Sequence, residues 1–176
     1  IEADGKPGQW YLHLFATEQP DFNWENRDVR EHFENILKFW LDLGIDGFRI
    51  DVAHAMIKAE GLPDIVEPEK GNEMLSATQY PFWDQEGVHD IHRSWRKILD
   101  SYPGDRMAVA EAWVSPATRI ARYLRPDELA NSFNFDFLIT LWAAAEIKGR
   151  IVTSMAAMAE VGAPSSWVFN NHDLVR

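Results

Sequence analysis

The sequence predicts an α/β fold built on a parallel sheet, and three observations carry that expectation. Short runs of apolar and β-branched residues alternate with stretches whose apolar residues recur at helical spacing. No two-residue hairpin turn joins the principal runs, which argues for βα units. Finally, the runs end in polar residues: Asp51, Glu111 and His172–Asp173. Closure into a barrel is preferred, because barrel strands bring their C-terminal ends together on one face. A doubly wound sheet would suit the same spacing, but no glycine-rich phosphate loop follows any run.

Taken in order, Gln9–Phe15 reads as a strand of aromatic and aliphatic residues after a Gly/Pro turn at residues 5–8. The stretch Gln19-Pro20-Asp21-Phe22-Asn23-Trp24 carries turn chemistry. A helix follows, capped by Asn26 or Asp28 and stopped by Gly44, with Val29, Phe33, Ile36, Leu37, Trp40 and Leu41 as its core stripe. Phe48, Ile50 and Val52 then form a short buried strand. Residues 53–59 can continue as a short helix, and residues 61–80, with Pro63 and Pro68, form an acidic loop long enough to cover or shape a site.

Helical spacing resumes over residues 87–101 through Val88, Ile91, Trp95, Ile98 and Leu99. Met107–Ala112 is a second buried strand, followed by a helix at residues 115–123 capped by Ser115 with Pro116 in its first position. Asn134–Phe137 is a third strand candidate. A helical region from about Leu138 to Val161 leads to a fourth strand, Ser166–Asn170, with Asn171-His172-Asp173 at its end.

The length, 176 residues, fits one domain with a substantial core. With 28 acidic against 17 basic residues the formal charge is -11, which repels phosphate backbones and anionic lipid, so neither nucleic acid nor membrane is an expected partner. There is no Cys, hence no disulfide framework or thiolate metal site. No apolar run is long enough to span a bilayer, and Ile1-Glu2-Ala3-Asp4 does not read as a signal peptide. The termini, Ile1 and Arg176, read as those of an excised piece, and the expected compartment is the cytoplasm.

The chemistry centres on Gly47-Phe48-Arg49-Ile50-Asp51-Val52-Ala53-His54. Arg49 and Asp51 lie two apart on a strand and so share a face, where the guanidinium can hold the carboxylate ionised. That pair is either a structural ion pair or an oriented nucleophile. Glu111, ending the second strand, offers a second carboxylate; alone it reads equally as a strand-end ion pair, and His172–Asp173 alone reads as a turn. Two converging carboxylates are what cleavage of a glycosidic bond requires, and a third could face the cationic transition state. Tryptophan and tyrosine can supply faces for sugar rings.

Four stretches in this order, Gln19-Pro20-Asp21-Phe22-Asn23, Gly47-Phe48-Arg49-Ile50-Asp51, Glu111-Ala112-Trp113 and Asn170-Asn171-His172-Asp173, resemble ordered regions of the α-amylase family of glycoside hydrolases. The Gln-Pro-Asp-Phe-Asn form is similar to the oligo-1,6-glucosidase and α-glucosidase branch. The resemblance implies the middle of a (β/α)8 barrel, about strands four to seven. Residues 1–24 would close a domain inserted after strand three, and residues 25–176 would be barrel units. It implies Asp51 as nucleophile, Glu111 as general acid/base and Asp173 as transition-state stabiliser. Arg49 would orient Asp51, and His172 would contact the glucose ring.

In the same branch Val52 accompanies α-1,6 preference, and His54 matches a position near the leaving-group sugar. The implied chemistry is retaining, with the Asp51 and Glu111 carboxyls about 5 Å apart and the Glu111 pKa raised by burial and by Asp51. The implied partner is a small oligosaccharide, with no cofactor. No metal is assigned, since the branch's calcium loop lies outside the chain, as does the strand-three Asp-x-x-x-Asn-His region. At about 250 residues for a typical barrel, 176 cannot complete one, so the chain alone is expected to be inactive. Alternatives within the resemblance are a trehalose synthase-type isomerase, a sucrose-active transglucosylase, and a non-catalytic heavy chain of amino-acid transporters.

Overall fold

The structure, a computed structural model, describes residues 4–65 and 80–173. Among the described residues the elements are α1 (Arg27–Asp42), β1 (Gly47–Ile50), α2 (Val88–Asp100), β2 (Met107–Ala110), α3 (Ala117–Ala121), a 3-10 turn (Arg122–Leu124), β3 (Asn131–Ser132), α4 (Phe135–Leu138) and α5 (Ala144–Val161). The three strands pair in the order β1-β2-β3, all parallel, as the βα alternation implies.

The two helices with the strongest apolar stripes form where the sequence places them. Asn26 caps α1, its side chain accepting from the Asp28 N–H, and Gly44 closes it in the left-handed region at φ 95°. On α2, Val88, Ile91, Trp95, Ile98 and Leu99 are all buried. They face Leu37 and Leu41 of α1 and Ala108 and Ala110 of β2 in the main core. Trp40, assigned to the α1 core stripe, is instead 46% exposed. The buried line along α1 runs through Leu37 and Leu41, which leaves Trp40 with Phe39 and Leu43 on an uncovered flank.

Several expectations give way to local hydrogen bonding. Gln9–Phe15 makes no ladder. Its polar groups are met nearby, by Asp21 N–H to Leu12 O (2.9 Å) and Leu14 N–H to Asp21 Oδ2 (2.8 Å). Residues 53–59 form turns rather than a helix, with Lys58 Nζ capturing the Ala55 carbonyl at 2.5 Å. Ser115 does not cap α3; its hydroxyl donates to Asp136 Oδ2, and Pro116 occupies the cap position. Asn134–Phe137 is not a strand, because the Asn134 side chain accepts the Phe137 N–H and starts α4. The third strand lies just before it, at β3.

The long helix begins only at Ala144, after a connection that exposes Leu141 and Trp142. Ser166–Asn170 forms no strand; the Ser166 hydroxyl reaches the Ser132 carbonyl at the end of β3 without a backbone ladder. Most of the acidic loop expected over residues 61–80 lies outside the described residues.

Register is pinned at the start of the sheet. Gly47 pairs with Met107, and a Cβ at Gly47 would lie 2.3 Å from the Met107 carbonyl oxygen. Gly47→Ala is therefore expected to cost about 3 kcal/mol in a denaturant titration, at the upper end for overpacking because the obstructing atom is backbone. Gly149→Ala, which meets nothing within 4 Å, is the matched control and should not destabilise.

Candidate active site

β1 delivers Arg49 and Asp51 to the same side of its C-terminal end. There Arg49 Nη1 donates to Asp51 Oδ1 at 2.5 Å, both side chains being open to solvent. The chain then turns sharply, with Val52 at φ 44°, a strained conformation for a β-branched residue. This turn points the Val52 N–H at Glu111 Oε2, 2.7 Å away. Glu111 follows directly on β2 and is stitched to the same turn through its backbone: its N–H donates to Ile50 O (2.9 Å), and its carbonyl accepts from Ala53 N–H (2.8 Å).

Glu111 is 5% exposed. Burial is the largest influence on its carboxyl and raises the pKa, and the Asp51 carboxylate adds to the rise. The Val52 N–H, Arg49 and the Trp113 indole oppose them, and the balance stays above the ordinary glutamate value, in the direction expected from the sequence.

The third polar stretch closes on the same end of the sheet. Arg49 lines an open groove with Phe133, Phe135, Val168, Asn170 and His172. His172 and Asp173 are exposed, with Nε2 and Oδ1 3.4 Å apart. His54 sits differently. It is fully buried, its ring stacked on Trp83 with centroids 4.8 Å apart and its carbonyl accepting the Asp84 N–H. Arg49, Asp51, Val52 and Glu111 are thus one contiguous group; His172 faces it across the groove, and His54 underpins the turn.

Three supports went unrecognised in the sequence. Trp113 Nε1–H donates to Glu111 Oε1 at 2.9 Å, while its ring lies flat on Phe135, centroids 4.0 Å apart and planes at 8°. Asp21 is a strut, accepting from Leu14 N–H and from Lys58 Nζ at 2.7 Å, which ties the Gln-Pro-Asp-Phe-Asn stretch to the loop after β1. Asp84 gathers Tyr123 Oη (2.7 Å) and Arg119 Nε (2.8 Å) while its own N–H holds His54 O; burial and Asp84 push the Tyr123 hydroxyl pKa up.

Beneath the site, His89, His92 and Glu128 are buried with one donor atom of each within 4.8 Å of the others, the one group among the described residues with the donor types and proximity to hold a metal ion. Arg93 Nη2 (3.1 Å) and Arg125 Nε (2.9 Å) already neutralise Glu128, and His89 Nδ1 lies 2.7 Å from it. A dication there would face two guanidinium charges, so the group is an ion network. Only the i, i+3 spacing of the two histidines on α2 could have signalled it.

An α/β layer with ionisable groups gathered at the C-terminal ends of neighbouring parallel strands is the arrangement in which α/β proteins place their functional sites. Residues 2–176 match the family model for the alpha-amylase catalytic domain, and the chain belongs to that family of glycoside hydrolases. It is 36% identical over 190 residues to an oligo-1,6-glucosidase of Parageobacillus thermoglucosidasius, spanning 99% of this chain and 33% of that protein. It is 38% identical over 125 residues to the human amino acid transporter heavy chain SLC3A1, spanning 65% of this chain and 18% of that one. The alpha-glucosyl transfer enzyme XgtA superposes with a TM-score of 0.74 at 26% identity, covering 94% of this chain and 32% of that structure. The chain thus spans about a third of the oligo-1,6-glucosidase and of XgtA.

Glu128 supplies a test of the network. Burial raises its pKa, but the hydrogen bond with His89, the nearby His92 ring at 3.7 Å and the pairing with Arg125 outweigh it and bring the value to about 2. A depressed carboxylate contributes stability that is fully present above its unfolded value, 4.5, and is lost as pH falls toward about 2. Glu128→Gln is expected to lower stability at pH 7 by about 3–5 kcal/mol, because two arginines lose a buried partner. It should also flatten the pH dependence of unfolding between those two values, measured by urea titration at successive pH.

Proposed function

We propose that this chain carries the central catalytic segment of a retaining α-glucosidase acting on short α-gluco-oligosaccharides, with α-1,6 bonds favoured over α-1,4. The observation that carries the reading is the pair of carboxyls on adjoining strand ends. Asp51 is exposed and ion-paired to Arg49, whereas Glu111 is buried with its pKa raised. One carboxyl is accessible as a nucleophile, and the other is biased toward the protonated form that can donate.

In this reading Asp51 attacks the anomeric carbon while Glu111 passes its proton to the departing glycosidic oxygen, giving a β-glucosyl ester on Asp51. Glu111, now anionic, takes a proton from water, whose oxygen attacks the anomeric carbon and releases α-glucose. Asp173 faces the oxocarbenium-like transition state, His172 contacts the glucose ring across the groove, and Val52 shapes the linkage preference. For His54, burial against Trp83 supports a role in holding the turn rather than touching the leaving sugar.

The strands β1, β2 and β3 are read as consecutive strands four to six of a (β/α)8 barrel, with residues 166–170 leading to the seventh position. The share of the relatives covered, and the exposure of Phe39, Trp40, Leu141 and Trp142, support a chain that works only with the rest of such a barrel around it.

Likeness to XgtA supports a second reading, glucosyl transfer to a sugar acceptor by the same two steps with the acceptor in place of water. Anomeric proton NMR of the complete polypeptide acting on equimolar maltose and isomaltose separates these. Early α-glucose with faster loss of isomaltose is expected. A new disaccharide would indicate transfer or isomerisation, and no turnover of either sugar would count against the glucosidase reading in favour of a non-catalytic heavy-chain role. Val52→Ala is expected to move the isomaltose-to-maltose ratio of kcat/KM toward maltose by about tenfold, the scale of a small apolar change in a pocket.

A further inference from the structure

The Glu111 carboxyl is gripped at both oxygens, by the Val52 amide on one side and the Trp113 indole on the other. Trp113 is buried, so its N–H requires an acceptor, and Glu111 Oε1 is the one it has. The indole has little freedom to leave, since its face is stacked on Phe135, itself buried at the start of α4. Phe135 and Phe133 also line the groove beside Arg49, so the support reaches the open surface of the site.

Resting on the reading of Glu111 as acid/base, we propose that Trp113 is a positioning residue whose indole N–H, held by the Phe135 stack, fixes the direction of the Glu111 carboxyl and stabilises its anionic form. The charged groups facing Glu111 are Asp51 and Arg49 from the end of β1, and across the groove from Arg49 stands His172. Burial and Asp51 favour the acid that must donate in the first step, whereas Trp113 and the Val52 amide favour the anion that must accept in the second. A carboxyl that alternates between these states works best when neither set of neighbours prevails. Trp113 is the only side-chain hydrogen-bond donor to it among the described residues.

Trp113→Phe keeps an aromatic face for Phe135 and deletes the donor. In the complete polypeptide acting on isomaltose, the alkaline limb of kcat/KM should move up by about one pH unit, the scale of a lost bond to a charged acceptor. kcat should fall by about tenfold with KM within about twofold, as expected for a group that acts on the reacting carboxyl rather than on sugar binding. An unmoved limb with unchanged kcat would overturn the proposal.

Phe135→Leu, which keeps the N–H and removes the stack, should lower kcat with a smaller displacement of the limb; it decides the matter if circular dichroism shows that Trp113→Phe does not fold, and no change in either quantity overturns the proposal there too. Carbon-detected NMR titration of the labelled Glu111 carboxyl, wild type against variant, gives the same answer without turnover: an upward shift in the variant is expected, and coincident titrations refute the role. A wild type inactive on both disaccharides but with a shifted variant titration would sink the glucosidase reading alone. An active wild type with coincident titrations would sink the Trp113 role alone.

Discussion

The site depends on the register between β1 and β2. Three bonds join Glu111 to the end of β1: its N–H to Ile50 O, its carbonyl to the Ala53 N–H, and its carboxyl to the Val52 N–H. A slip of one residue would turn Glu111 to the opposite face and break all three together. At the other end of these four-residue strands, Gly47 lies against the Met107 carbonyl so closely that only hydrogen fits. The same register is therefore enforced twice, by sterics where the strands begin and by hydrogen bonds where they end. The positive φ of Val52 costs about 1–3 kcal/mol, and the bonds that its turn makes possible hold it there.

That turn is braced from two further directions. Asp84, from the loop before α2, donates its backbone N–H to His54 O and is itself held by Tyr123 and Arg119. From the N-terminal segment, Asp21 reaches Lys58, which in turn holds the Ala55 carbonyl. Side chains that carry these braces are separated by 35 to 39 residues in one case and 37 in the other. They fix the turns over residues 51–59 as a platform under Asp51. The buried aromatic pair His54 and Trp83 fills the space between them.

What could be read from the sequence follows from the range of the interactions involved. α1 and α2 carry long apolar stripes and end signals, so Asn26, Gly44 and the Val88-to-Leu99 face were legible. β3 has only two residues, too few for any period, and its neighbour Asn134–Phe137 alternates like a strand while the Asn134 side chain commits it to a helix. Gln9–Phe15 has the composition of a strand, but composition supplies no partner edge. In the site, the Arg49–Asp51 pair and Glu111 were legible because strand periodicity fixes their side. Trp113 was visible only as part of a motif, since its bond to Glu111 depends on a stack with Phe135, 22 residues on. The burial of His54 was not legible either, because it is set by Trp83 from a distant loop.

The two carboxyls at the centre show how depth gives one chemical group two electrostatic settings. Asp51 projects from the strand end into solvent with a guanidinium beside it, so its charge is compensated by both water and Arg49. Glu111 sits one strand away in the core, where water is excluded and a second negative charge is unfavourable. The same anionic neighbour therefore acts on the buried member of the pair as a reason to hold its proton. Two neutral donors, the Val52 amide N–H and the Trp113 indole Nε1–H, pull the other way with directional bonds, and they can do so without bringing another ionised side chain into the core. A lysine in place of Trp113 would stabilise the anion more strongly but would add a charge that itself requires solvation. Neutral donors temper the rise that burial and Asp51 impose on the Glu111 carboxyl without reversing it.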